Sequence, residues 1–144
     1  MSTLPVKKEH LRGIAALEAE CFHQPWSEKA LELLLGKDAI GVVCVEGDEV
    51  IAYGGMLLTL DEGQITNIAV RSTHRRRGYG KEILGALLLA AREKGAKEIF
   101  LEVRASNAGA QGLYLQYGFE QVGTRRGFYQ HPREDAVVMR KILG

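Results

Sequence analysis

Apolar positions along the chain change their period several times, and each change marks an element. Leu11, Ile14, Ala15, Cys21 and Phe22 recur at helical spacing, after which Pro25-Trp26-Ser27 breaks and restarts the chain. Ser27 is a good N-cap for a short helix carrying Leu31, Leu34 and Leu35 and ending near Gly36. The runs Ile40 to Val45 and Val50 to Leu60 are β-rich and joined through Glu46-Gly47-Asp48-Glu49, which predicts a hairpin. A third strand, about Gln64 to Val70, leads through an arginine-rich loop into a helix from about Tyr79 to Lys94, closed by Gly95. Ile83, Leu84, Leu87, Leu88 and Ala91 form its buried stripe. A strand from Glu98 to Val103, a helix from about Asn107 to Tyr117, a strand from Phe119 to about Thr124 and a last strand from Ala136 to Ile142 complete the series. The opening hairpin is antiparallel, whereas helices alternating with strands in the second half imply parallel neighbours. The predicted fold class is therefore α/β with a mixed central sheet and helices on both faces.

A length of 144 residues fits a single domain spanning 1–144, with no repeat, low-complexity tract or linker. Lys plus Arg total 19 against 18 Asp plus Glu, and a formal net charge of +1 gives no general drive toward nucleic acid or an anionic membrane. No apolar run approaches the ~20 residues that span a bilayer, and the N-terminus lacks the apolar core of a signal peptide. The expectation is a cytoplasmic protein that binds neither nucleic acid nor membrane directly, with oligomeric state left open and a monomer sufficient. Cys21 and Cys44 each sit in an apolar pattern, as reduced, buried thiols do. His10, His23, His74 and His131 are scattered and offer no ligand spacing for zinc, so no metal is expected.

Local positive charge concentrates at Arg75-Arg76-Arg77-Gly78-Tyr79-Gly80, between a strand and a helix. Backbone amides at a helix N-terminus, approached through glycines, offer donors and a partial positive charge to a pyrophosphate. The motif is neither the dinucleotide fingerprint nor a Walker loop, because Ile83 stands where the first needs glycine and no Gly-Lys-Ser/Thr follows Gly78. Taken alone it reads equally as a solvated basic turn. Glu102 lies in a central strand on the same face as Phe100; it is either a functional carboxylate or a strand-end residue paired with Arg104 or Arg125. Asn107 is a natural N-cap, and Tyr114 falls two turns later, where core packing is the commoner fate of an aromatic.

Arg75-Arg76-Arg77-Gly78-Tyr79-Gly80 matches the Q/R-x-x-G-x-G/A signature, and on it the chain resembles the GNAT acetyltransferases. Pro25-Trp26-Ser27, Asn67-Ile68-Ala69-Val70, Leu101-Glu102-Val103-Arg104-Ala105-Ser106-Asn107, Leu113-Tyr114 with Gly118-Phe119, Arg125-Arg126 and Glu134-Asp135-Ala136 together resemble the bacterial ribosomal-protein alanine N-acetyltransferases, the RimI group. The resemblance implies a GNAT fold and acetyl-coenzyme A as co-substrate. It places pantetheine against Ile68, Ala69 and Val70, and the pyrophosphate on Arg76, Arg77, Gly78, Tyr79, Gly80 and Lys81, with Asn107 as a further cofactor contact. It makes Glu102 the general base and Tyr114 the general acid. Both roles suit acetyl transfer from sulfur to nitrogen: an α-amine of pKa ~8 must lose a proton to attack, and a phenol of pKa ~10 can protonate the departing thiolate.

Within that family the acceptor is set by the segment near Trp26 and by the loop between the last two strands, here Arg126 to Arg133, short and with Phe128 where tyrosine is common. Tyr129 is expected to cover the peptide entrance, and Glu134, with Asp61, Glu62 and Asp135, to favour a basic peptide such as the eighteenth small-subunit ribosomal protein with its N-terminal alanine. Surface acids more often merely solvate loops. Two other readings stay open at this point: acetylation of a lysine or small-molecule amine, and a non-catalytic module that holds coenzyme A or RNA. The intact Glu102 and Tyr114 and the balanced net charge weigh against the second.

Overall fold

In the computed structural model, which describes residues 2–143, the helical spacing at the start becomes α1 (Leu11–Cys21). Its buried side is Leu11, Ile14, Leu17 and Glu18. The segment after Ser27 is a run of 3-10 turns, Ala30–Leu35, rather than an α-helix; Ser27 Oγ accepts from the amide of Ala30 at 3.1 Å, and Leu31 and Leu34 turn inward. Six residues with two leucines to bury are too few for the α-helical nucleus to gain much over the tighter turn.

One seven-stranded sheet carries the molecule. Its strands are β1 (Leu4–Pro5), β2 (Ala39–Glu46), β3 (Glu49–Thr59), β4 (Glu62–Val70), β5 (Glu98–Arg104), β6 (Glu120–Tyr129) and β7 (Glu134–Ile142), in the spatial order β1-β2-β3-β4-β5-β7-β6. The two-residue β1 was not expected from the sequence. The β4–β5 pair is parallel and joined by α2 (Tyr79–Glu93); every other neighbouring pair is antiparallel. The mixed sheet is as expected, but parallel neighbours throughout the second half are not. After α3 (Ala108–Gln116), β6 skips one place and β7 fills the gap between β5 and β6. Periodicity within a strand carries no information about which strand it sits beside.

Two apolar layers flank the sheet. Leu11, Ile14, Leu17, Leu31, Leu34, Val43, Tyr53 and Ala69 pack under α1. On the other face α2 buries the expected stripe Ile83, Leu84, Leu87, Leu88 and Ala91, together with Ile99, Leu101, Val103 and Met139. Cys44 is buried as expected, whereas Cys21 is only half-buried; both are free thiols. Cys21 lies at the last turn of α1, where its Sγ reaches the carbonyl of Val70 at 3.5 Å.

Candidate active site

Strands β4 and β5 pair over three positions only, Glu62 with Glu98, Gly63 with Ile99 and Gln64 with Phe100. Beyond them each strand continues with its outer neighbour, β4 with β3 as far as Val70 and β5 with β7 as far as Arg104. The two strands therefore part, and a wedge opens in the middle of the sheet. Its walls are strand edges whose backbone groups have no strand partner on the inner side, and buried main-chain groups of that kind call for a ligand or water. Ile68, Ala69 and Val70 form the β4 wall; a bulge just before them sets Thr66 and Asn67 opposite the single residue Gly55.

The wide end of the wedge meets the start of α2. Gly78 caps this helix with φ 87°, a left-handed conformation that a residue with Cβ resists, and no side chain caps the first turn. The first bond into the helix runs from the amide of Glu82 to the carbonyl of Gly78, so the amides of Tyr79, Gly80 and Lys81 have no intrahelical acceptor. A Cβ at Gly78 would meet nothing within 4 Å, and one at Gly80 only Leu113 at 3.5 Å, so the approach to these amides is open. Arg76 and Arg77 are exposed beside them, Arg76 itself at φ 65°. Arg75 turns back instead: its Nε donates to the carbonyl of Val70 at 3.2 Å and its NH2 to Cys21 Sγ at 3.5 Å. The strand edges left without a strand partner, the Val70 carbonyl being taken by Arg75 and Cys21, together with the free amides and exposed guanidinium groups, fit a long anionic cofactor carrying an amide-rich arm.

Two ionisable residues approach the wedge from opposite faces. Glu102 is partly buried on β5, and Gln64 Nε2 donates to its Oε2 at 2.8 Å across the mouth. Gln64 lies opposite Leu57, which packs in the α1 layer, so Glu102 faces α1. Arg125 Nε stands 3.8 Å from Glu102 Oε1, the partner that a strand-end reading allowed, while Arg104 is turned elsewhere. Tyr114 lies on the other face, 8% exposed, in the layer under α2. A glycine-terminated helix end fixes it: Phe119 N donates to Tyr114 O at 3.0 Å, Gly118 N to Leu115 O at 3.1 Å, and the Tyr114 and Phe119 rings meet edge to face at 5.6 Å. Burial, and secondarily Tyr129, pushes the Tyr114 hydroxyl up to about 12. Asn107 begins the same helix, its Oδ1 accepting from the amide of Ala110 at 3.1 Å.

The expected loop from Arg126 to Arg133 is corrected by the structure. Strand β6 runs on through Tyr129, β7 begins at Glu134, and only residues 130–133 turn. Gly127, at φ 60°, sits in an irregular stretch between Arg125 and Tyr129, and a glycine inside a strand reads as a turn when the sequence is seen alone. Tyr129 is half-buried and is pushed up to about 12, by burial first and then by negative Glu102, against the pull of Arg104. It lies within electrostatic reach of both Glu102 and Tyr114. Glu134, expected to meet a basic peptide, is engaged within the chain: its Oε1 accepts from Arg104 at 3.1 Å and its Oε2 from the amide of Ser106 at 2.6 Å. Ser106 and Arg104 hold its carboxyl below the usual carboxylate range.

Two residues, Gln64 and Glu18, went unnoticed in the sequence, and a third was read only in part. Gln64 looked like an ordinary strand residue, and Arg104 only like a possible partner of Glu102. Glu18 is wholly buried in α1 and carried a legible signal, an acid seven residues after Leu11 on the apolar stripe. Among the described residues no group of three or more His, Cys, Asp or Glu is placed to hold a metal ion, and no helix is long and apolar enough to cross a membrane.

Known proteins share this arrangement. The profile described as Acetyltransferase (GNAT) family matches residues 11–119. The [ribosomal protein bS18]-alanine N-acetyltransferase of Haemophilus influenzae is 36% identical over 126 residues, 85% of this chain and 86% of that one. Its counterpart in Escherichia coli strain K12 is 35% identical over 117 residues, covering 80% and 79%. The crystal structure of the ribosomal-protein-S18-alanine N-acetyltransferase from Escherichia coli matches with a TM-score of 0.91 at 30% identity, over 99% of this chain and 94% of that chain. The NatC complex bound to Gag peptide and CoA shares the fold, with a TM-score of 0.86 at 21% identity over 99% of this chain and 98% of that one. With the family profile spanning well over half the sequence and a parted β4–β5 pair feeding into the bare N-terminus of α2, the chain belongs to the GNAT acetyltransferases, enzymes that take their acetyl group from acetyl-coenzyme A.

Proposed function

We propose that this chain, working as one domain, acetylates the α-amine of the N-terminal alanine of ribosomal protein bS18 in the cytoplasm. The observation that carries the reading is the wedge between β4 and β5, with Glu102 and Tyr114 on its opposite faces. The relatives named for this reaction support the choice of acceptor.

Acetyl-coenzyme A, when bound, supplies an acetyl thioester activated for attack by an amine. The edges of Ile68, Ala69 and Val70 would receive its pantetheine arm, and the amides of Tyr79, Gly80 and Lys81, with Gly78 and the guanidinium groups of Arg76 and Arg77, its pyrophosphate. Asn107 would add a contact from the start of α3. Trp26 and Tyr129 border the acceptor entrance, and Glu134 acts there through Arg104.

Glu102 takes the proton from the α-ammonium group, directly or through one water, since an amine of pKa ~8 is mostly protonated at neutral pH. Gln64 aims the accepting oxygen by holding Oε2. Tyr114, with its hydroxyl pushed up to about 12, keeps its proton through neutral pH and donates a hydrogen bond to the departing sulfur. Complete proton transfer from such a phenol to a thiolate of ordinary basicity, pKa ~8.5, runs uphill by roughly 5 kcal/mol. Its contribution is therefore stabilisation of developing charge by a fixed donor.

The test is acetyl transfer to an alanine-initiated bS18 peptide, beside the same peptide blocked at its α-amine but carrying a free lysine. Wild type should modify only the free α-amine, and Glu102→Gln and Tyr114→Phe should each cut the rate steeply. Transfer to lysine alone would overturn the acceptor assignment; full activity in both variants would overturn the residue roles.

A further inference from the structure

Glu18 is 0% exposed and lies in a layer of hydrocarbon formed by Leu11, Ile14, Leu17, Leu31 and Val43. A carboxylate there costs several kcal/mol unless its oxygens are met by donors. Three donors meet them. Oε1 accepts the backbone N–H of Trp26 at 2.8 Å, and Oε2 accepts Asn67 Nδ2 at 2.8 Å together with the hydroxyl of Tyr53. Burial and the neighbouring Glu18 push the Tyr53 hydroxyl well above the ordinary tyrosine range, which keeps it a donor.

The three donors come from the segment after α1, the middle of β3 and the bulge of β4. A leucine at position 18 would fill the same layer, since α1 already buries Leu11, Ile14 and Leu17. What the carboxylate adds is a junction. Asn67 lies three residues beyond the last β4–β5 pair and immediately before Ile68 on the wedge wall. Trp26 follows Pro25 on the same α1 face of the sheet as Glu102.

We propose that Glu18 is a positioning residue for the acceptor amine: it ties the Trp26 segment to the β4 edge of the wedge and so fixes the acceptor entrance. The inference rests on reading the wedge as the transfer site. The junction lies on the acceptor side and leaves the amides at the start of α2 untouched.

Trp26 is the only tryptophan in the sequence, so its fluorescence reports on this junction without any need for activity. The experiment compares wild type, Glu18→Gln and Asn67→Ala in acrylamide quenching, thermal midpoint, acetyl-coenzyme A Kd, and KM and kcat for the alanine-initiated peptide. Glu18→Gln sets an amide against three donors and should raise quenching about twofold and acceptor KM about tenfold, with the acetyl-coenzyme A Kd within about twofold of wild type. Asn67→Ala keeps the bond to Trp26 and should raise acceptor KM by a smaller factor. A merely structural role lowers the midpoint and the active fraction, which reduces kcat and leaves both constants alone; that pattern overturns the proposal. If Glu18→Gln does not fold, Tyr53→Phe and Asn67→Ala decide, since an unchanged acceptor KM in both overturns it as well. If wild type modifies no alanine-initiated peptide, the acceptor assignment fails, while Trp26 quenching still decides the role of Glu18.

Discussion

The guanidinium of Arg104 lies over the ring of Tyr129, its central carbon 4.5 Å from the ring centroid. The same group donates to the carbonyls of Pro132 at 3.0 Å and Gln130 at 3.1 Å and to Glu134 at 3.1 Å, so one planar fork holds the whole β6–β7 turn over the β5 side of the wedge. Lysine, a point charge on a flexible stem, reproduces neither the fork nor the stacking. Arg104→Lys should therefore raise acceptor KM about tenfold while leaving the acetyl-coenzyme A KM nearly unchanged, as steady-state kinetics with each substrate varied in turn would reveal. Equal effects on both constants would mean that the clamp serves the scaffold.

Glu102 and Gln64 form the second relationship with a kinetic signature. On the proposed role of Glu102 as proton acceptor, Glu102→Gln should lower kcat by about a hundredfold or more at neutral pH, the usual scale of general-base catalysis. The deficit should shrink as pH rises past ~8, because the amine then reaches the site already deprotonated. Gln64→Leu leaves the carboxylate in place without its 2.8 Å donor, and a smaller loss in kcat is expected, with coenzyme binding unchanged. A pH–rate profile of each variant against wild type checks both statements.

How much of this was legible beforehand follows from the range of each signal. The stripe Ile83, Leu84, Leu87, Leu88 and Ala91, the Gly118 helix end and the Asn107 cap are local, and all three appear where sequence reasoning set them. The parting of β4 from β5 and the insertion of β7 between β5 and β6 depend on partners distant in sequence, and no periodicity encodes them. Glu18 was hidden for a related reason. Its donors lie 8, 35 and 49 residues away, so only the anomaly of an acid on an apolar stripe was visible. Glu134 is the converse case: an acid near the acceptor invited a substrate role from its charge alone, and only the fold reveals that its two oxygens are bonded to Arg104 and Ser106.

The proposed anion seat leads to a prediction about backbone rather than side chains. Gly78 holds φ 87° at the cap of α2, and alanine there pays roughly 1 to 2 kcal/mol for the left-handed conformation or else shifts the first turn. A shifted turn moves the amides of Tyr79, Gly80 and Lys81 away from a common focus, whereas strain held in place makes the helix start that presents them costlier to keep ordered. Gly78→Ala should therefore weaken coenzyme A binding about tenfold by calorimetry, with little change in acceptor KM. Arg76→Ala and Arg77→Ala should weaken it less and flatten its dependence on ionic strength, because exposed charges act through screened attraction.

Tyr114 links the proposed transfer site to stability at high pH. Its folded pKa of about 12 stands above the ordinary tyrosine value near 10, so between those pH values the unfolded chain has released a proton that the folded chain still holds. Unfolding then releases protons, and stability falls as pH rises: the contribution is complete below pH 10 and is lost as pH climbs through 12. A two-unit difference corresponds to roughly 3 kcal/mol for a group buried this deeply. Tyr114→Phe has no proton to lose, so its thermal midpoint should decline less steeply than that of wild type above pH 10. In a tyrosinate absorbance titration the same variant should lack one late-ionising phenol. A wild-type midpoint that stays level from pH 9 to 11.5, or a Tyr114 that ionises with the exposed tyrosines, would place its hydroxyl in contact with water and restore complete proton transfer to the leaving sulfur as its role.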